Sequence, residues 1–405
     1  MEKSLLLFLF TLFPFITYSQ NASNAISENN IVRDTSQQKD LIDIGKSILK
    51  IKPKTLEEEK NKKVYFSILP TSAEIPGGGN ALITSTTAGF YLGDRDNTFL
   101  SSATFTPYWN FKSRFGLPLR TNIWLDDNSW NIRGDTRFMV YPQFTWGLGS
   151  GQPSNEKIMV DYKYIRFYQS ALKRIKSYFY AGIGYNLDYF INIHTDEPGL
   201  QPFTGYKYGT TAGVNSFSSG ITLNMLYDTR NNEFNPIPGA YANLIYRINP
   251  TYLGSNSTWR SIYADVRKYI PLSSRPHQQN VLAIWSYFWT VLDSNVPYLN
   301  LPSIGMDPSN RSGRGIEQNR YRGRSLIYLE SEYRRDITSN GLFGFVAFAS
   351  INSVTEENSK FERINPALGA GLRVKFNKGS NTNIAIDYGF SKGYSGISVS
   401  LGEAF

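Results

Sequence analysis

From residue 63 to the end of the chain, apolar and polar residues alternate in runs of about ten, divided by Gly, Asn, Asp and Pro. In one run Ile221, Leu223, Met225 and Tyr227 share a face, with Thr222, Asn224 and Asp228 on the other. Near the C-terminus Leu368, Ala370, Leu372, Val374 and Phe376 oppose Gly369, Gly371, Arg373 and Lys375. Likewise Ile384, Ile386, Tyr388 and Phe390 oppose Asn383, Ala385, Asp387 and Gly389. A period of two puts each pair of sets on opposite faces of a strand. Sixteen such runs are predicted, near 64–75, 81–93, 98–109, 113–125, 129–140, 157–171, 177–192, 216–228, 239–249, 258–270, 279–292, 325–336, 342–354, 365–376, 382–390 and 396–405. The connections at 337–341 and 377–381 are short, while those at 141–156, 193–215, 293–324 and 355–364 are long. Charges gather on the face opposite the aliphatics and aromatics. That pattern predicts an all-β, transmembrane antiparallel β-barrel of 16 strands, with lipid outside, water inside and the long loops on the outer surface. A β-propeller would need a repeat of fixed period, and the sequence has none.

The first 62 residues lack this texture. Lys3, the apolar run Leu5–Ile16 and small residues at Thr17 and Ser19 have the order of a signal peptide, 1–19. Pro14 interrupts a run already too short to span a bilayer as a helix. Residues 20–62 form a polar segment expected in the periplasm. Within it Leu41, Ile42, Ile44, Ile48, Leu49 and Ile51 partly follow helical spacing, although Gly45 weakens it. Two readings stand: a flexible tether, or one short amphipathic helix docked on the body or on a partner.

Composition narrows the chemistry. There is no cysteine, so disulfides, thiolate metal sites and a cysteine nucleophile are excluded. Two histidines, His194 and His277, both in expected loops, leave little material for imidazole catalysis or zinc. Gly147-Leu148-Gly149-Ser150-Gly151 has the wrong order for a nucleophile elbow, and Gly77-Gly78-Gly79 lacks the lysine and helix of a phosphate loop. No enzymatic activity and no cofactor are therefore expected. The net charge of +9 fits anionic lipid or a cationic lumen, and no nucleic-acid module is present.

The densest chemistry lies in the loop 293–324, which reads either as a basic solvated loop or as one folded into the lumen, and in the strand after it. Five arginines fall within residues 311–324, among them Arg314 in Gly313-Arg314-Gly315-Ile316. On the following strand Glu330, Glu332 and Arg334 share the inward face. A guanidinium is a rigid fork that grips carboxylates through paired hydrogen bonds, so a returning loop has an acidic ladder to hold. These residues resemble the BamA/TamA (outer-membrane-protein-85, bacterial surface antigen) superfamily of outer-membrane barrels, in which an outer loop carrying a (Val/Ile)-Arg-Gly-(Phe/Tyr) motif folds back into the barrel. Arg314 and Gly315 match the motif core, whereas Gly313 and Ile316 depart from it. The family's next strand offers an Asp and a Gly after a Phe. Here Phe348 is followed by Ser350 and Asn352, which leaves Glu330 and Glu332 as the expected partners of Arg314.

Asp228-Thr229-Arg230 through Pro236-Ile237-Pro238-Gly239 is similar to a periplasmic turn of the same superfamily, and reads as a structural hairpin. The last run, with Leu401 and the terminal Phe405, is similar to the C-terminal signal by which assembly machinery recognises such barrels. The resemblance covers about 63–405. It implies a Gram-negative outer-membrane location and contact with outer-membrane lipids and the barrel assembly machinery. It also implies a role in protein assembly or translocation, with a weak seam between first and last strands, where Pro70, Gly396 and Gly402 lie. Segment 20–62 is shorter than a POTRA domain, so a periplasmic or POTRA-bearing partner, or self-association, is expected in its place. A plugged diffusion channel is the alternative function, and an outer-membrane enzyme a third.

Overall fold

A computed structural model describes residues 37–51, 64–75, 79–195, 214–230, 232–236, 238–273 and 278–405. The expected signal peptide, His277 and most of the expected 193–215 loop lie outside these residues. Among the described residues all strands belong to one antiparallel sheet, in nineteen segments where alternation predicted sixteen. The hairpin β1 (Val64–Ile75) and β2 (Gly79–Phe90) is paired along its length, Pro70 opposite Thr84. Two expected runs then each appear as two segments, β3 (Ser101–Phe105) with β4 (Tyr108–Trp109) and β5 (Phe115–Gly116) with β6 (Leu119–Trp124), while the run matched by β7 (Trp130–Val140) is followed by an extra segment, β8 (Gln143–Thr145). Pro107, Pro118 and Pro142 fall at the three breaks, where the missing N–H interrupts the ladder. The strand count is corrected on that account, and β8 occupies part of the expected 141–156 loop.

Beyond them the strands are unbroken and each pairs with the next. They are β9 (Ile158–Lys176), β10 (Phe179–Thr195), β11 (Val214–Asp228), β12 (Gly239–Asn249), β13 (Trp259–Pro271) and β14 (Asn280–Val291), then β15 (Ser325–Asp336), β16 (Phe343–Val354), β17 (Asn365–Asn377), β18 (Thr382–Ser391) and β19 (Tyr394–Leu401).

Burial is inverted relative to a water-soluble fold. Leu223, Met225, Leu372, Tyr388 and Phe390 are exposed, while their polar alternates Thr222, Asn224, Arg373 and Asp387 are buried. Arginines and carboxylates therefore line the inside, where each finds a partner, and the greasy face points out.

One helix lies at the rim. Helix α1 (Leu41–Ile48) is capped by Asp40, whose carboxylate accepts from the Asp43 N–H at 2.7 Å. Asp40 also accepts from the Lys378 backbone N–H at 2.8 Å, and Lys378 Nζ donates to Asp43 at 2.7 Å. The Lys39 N–H donates to the Asn340 carbonyl. Within the described part of this segment, the helix and the residues before it are held on the short turns after β15 and β17.

Candidate functional site: a latched lumen beside an unpaired seam

The loop between β14 and β15 is packed as a core element. Tyr298, Leu299, Leu301, Ile304, Ile316 and Tyr321 are buried in it. Arg322 holds its two limbs, donating to the Tyr298 carbonyl at 2.9 Å and to Asn319 at 3.0 Å. Asp307 shapes the tip by accepting from the backbone N–H groups of Ser309, Arg311 and Ser312. That tip reaches the β6–β7 wall, where Arg120 donates to the Ser309 carbonyl and Arg137 to Asn310.

On the opposite wall Arg314 donates to Glu330, Glu332 and Asp387, the last at 2.7 Å, and lies 3.8 Å over the Phe348 ring. Glu332 also takes Arg334, and Asp387 takes Arg373. Three buried guanidiniums thus interleave with the carboxylates, an arrangement that tolerates burial because each charge has more than one partner. The expectation that Arg314 depends on Glu330 and Glu332 alone is corrected: Asp387, on β18, supplies a third carboxylate. Sequence reading placed Asp387 on an inward face but had no signal linking it to a residue 73 positions earlier.

Gly313 and Gly315 both have positive φ, 78° and 81°. At Gly315 the demand is also steric, since a Cβ would stand 2.4 Å from the Phe390 N and 2.6 Å from the Gly389 carbonyl carbon. Loop backbone here touches wall backbone, and the Gly389 side of the contact is equally tight. Gly315→Ala is expected to destabilise the protein by about 1–3 kcal/mol, the scale of a non-glycine residue forced into a strained backbone region. A lowered temperature for loss of the compact barrel on unheated electrophoresis gels would measure it, and an unchanged transition would refute it.

The chain end departs from the sequence expectation. The last strand stops at Leu401, and Gly402, with φ 80°, turns Glu403, Ala404 and Phe405 into the lumen. Arg373 donates to the Glu403 carboxylate at 2.7 Å, Arg311 to the Leu401 and Glu403 carbonyls, and Arg334 to the Phe405 carbonyl at 2.9 Å. The Phe405 ring sits 5.2 Å from that of Trp285. Phe405 is therefore a luminal anchor, and Leu401 is buried too, in place of an alternating strand that runs to the terminus.

The turn after β11 closes the other end of the lumen. Asp228 and Arg230 pair at 2.7 Å and fix its entry. Asn232 then donates to the Ser380 carbonyl, Glu233 accepts from Ser102 and Asn122, and the Phe234 carbonyl accepts the Glu403 N–H. A segment read as a plain hairpin is thus a crossbar joining well-separated strands. Between it and the loop tip lies a chamber of about 360 Å³, walled by Arg166, Arg247 and Arg267 stacked on Tyr168, Trp259 and Trp285.

The ring is not zipped all round. Strands β1 and β19 lie side by side, yet among the described residues no register of paired residues joins them, and each pairs only with its hairpin partner. Support for β1 comes instead from the end of β17 and the turn after it, through Asn377 Nδ2 to the Phe66 carbonyl at 3.5 Å and through Tyr65 packed on Gly379. On β19 both Ile397 and Ser398 are exposed, whereas Asp387, the partner of Ser398 on β18, is buried. Both faces of an edge strand are bare there.

No family model matches the chain, and no curated protein matches it. Solved structures do. BamA from Haemophilus ducreyi lacking POTRA domains 1-3 superimposes with a TM-score of 0.52 at 14% identity, covering 84% of this chain and 70% of that one. The fold is that of a BamA-type barrel. CdiB from Acinetobacter baumannii (TM-score 0.51, 13% identity) and CdiB from Escherichia coli (0.52, 12%) match over 84% of this chain as well. This chain spans 60% and 62% of those two proteins. At such identity the likeness is one of fold, carried by the sheet.

Proposed function

We propose that the protein works in the outer membrane of a Gram-negative bacterium, and that it helps insert or translocate polypeptides across the unpaired seam between β1 and β19. The single observation behind this is the missing ladder at that seam in a sheet otherwise paired strand by strand. Unpaired N–H and C=O groups facing lipid are costly, and an incoming strand could satisfy them. The role is a non-enzymatic one. Clients would be presented by a periplasmic or POTRA-bearing partner or by a second copy, and the barrel itself would reach the membrane through the barrel assembly machinery.

A photo-crosslinking residue placed at Val399 on β19, in living cells, is expected to trap exported polypeptides. The same residue at Leu372 on β17 is expected to trap none. Equal trapping at both positions, or none at Val399, ends this reading. The luminal chamber favours a second reading, a plugged channel. Under it, replacing Arg314 by Ala would raise conductance across planar bilayers, whereas an insertion role leaves the lumen sealed by the tip contacts and the crossbar.

A further inference from the structure

Helix α1 is tethered at its N-terminal end and leaves its C-terminal end uncovered. Its polar groups, Asp40 and Asp43, make the contacts with the barrel through Lys378. Leu41, Ile44 and Ile48 form the apolar stripe, half-buried at the first two positions and bare at the third. Ile48 is 74% exposed, and the residues that follow, Leu49 and Ile51, are 70% and 53% exposed. Three large aliphatic side chains in four positions are thus uncovered, beside Lys46 and Lys50, and the sequence continues with Lys52 and Lys54.

The place of the helix says what covers them. It lies against β17, at the end carrying the short turn 378–381. There the outward Val374 and Phe376 are half-buried, whereas Leu368 and Leu372, farther along the same face, are exposed. The helix is held at that turn, level with the end of the wall where the greasy face begins. A bare aliphatic end at that level, flanked by lysines, has the chemistry of a segment lying in the headgroup region of a leaflet with anionic lipid.

We infer that Leu41–Ile51 is an interfacial anchor that lays Ile48, Leu49 and Ile51 into the periplasmic leaflet and its lysines onto anionic headgroups. Lys378 links this anchor to the turn that also braces β1 through Tyr65 and Phe66, so the leaflet steadies the seam. The inference rests on the membrane-barrel reading, and its test separates the two.

Because the chain has no cysteine, a single one can be labelled cleanly. Leu49→Cys, Leu372→Cys and Asn358→Cys, each carrying an environment-sensitive fluorophore, are reconstituted as the full chain in vesicles of phosphatidylethanolamine and phosphatidylglycerol. Quenchers are attached either to the lipid near the headgroup or dissolved in water. The Leu372 probe, on the barrel wall, should respond to the lipid quencher and the Asn358 probe, in an outer loop, to the aqueous one. The Leu49 probe is expected to follow the lipid quencher, to within about twofold of Leu372, as a residue seated in the interface does. It should lose much of that response when Lys46 and Lys50 are both replaced by Glu. Quenching of Leu49 from water overturns the inference, and so does protection from both quenchers, which would mean a protein occupant. Failure of the lipid quencher at Leu372 instead overturns the membrane-barrel reading itself.

Discussion

Replacing Arg314 with Ala is expected to lower the stability of the folded barrel by about 3–5 kcal/mol, the range for removing one partner from a buried ion pair. The loss exceeds that of a single bond because Arg314 serves three carboxylates from two strands. Glu332 would keep Arg334 and Asp387 would keep Arg373, but Glu330 would retain only the Tyr328 hydroxyl. A buried carboxylate left so poorly matched is the expensive product of the change. Denaturant unfolding of the detergent-solubilised protein, followed by tryptophan fluorescence, measures it. Arg314→Lys should recover only part of the loss, since an ammonium is a point charge that cannot fork between walls or lie flat on Phe348. A shift within about 0.5 kcal/mol, typical of surface changes, would mean that the loop is held by its other contacts.

The second large effect is expected at the chain end. Phe405→Ala removes a buried ring that packs on Trp285 and Tyr269 and lies beneath the Arg334 guanidinium. Burial of that kind is worth about 3–5 kcal/mol on truncation. Arg311 ties the same tail to the latch loop. Combined with Arg314→Ala, the two losses should therefore differ from their sum by about 0.5–3 kcal/mol, as for residues within one network. Strict additivity in the double variant would show that tail and latch are independent, against the geometry described above.

Most of the wall was legible because alternation is a local signal. Strand β15 shows why: Leu329 is exposed while Glu330, Glu332 and Arg334 are buried, as the period of two requires. The breaks at Pro107, Pro118 and Pro142 were visible as prolines, but whether a proline ends a strand or merely interrupts it depends on the neighbouring strand, which alternation does not encode. Arg314 stood out by its motif, and Glu330 and Glu332 by their face. Asp387, Arg373 and the tip contacts of Arg120 and Arg137 did not, because they are met only when the loop crosses the lumen. The turn holding Asn232 to Asn235 has ordinary turn chemistry, and nothing in it announces that Ser380 and Glu403 lie within reach. The inward bend at Gly402 was hidden in the same way, since a glycine in an alternating run reads as continuation until Arg334 and Arg373 are known to be waiting behind it.

The latch loop touches β6 and β7, which precede it in the chain, and β18, which follows it. Its tip and its arginine therefore bridge parts of the wall made early and late in synthesis. If the cylinder closed first, a segment carrying several ionised guanidiniums would have to be threaded through its mouth past the chamber. Laying the loop down while β15 to β19 are still unpaired avoids that passage. On that order β1 and β19 would meet last, and they are the pair with no register between them among the described residues.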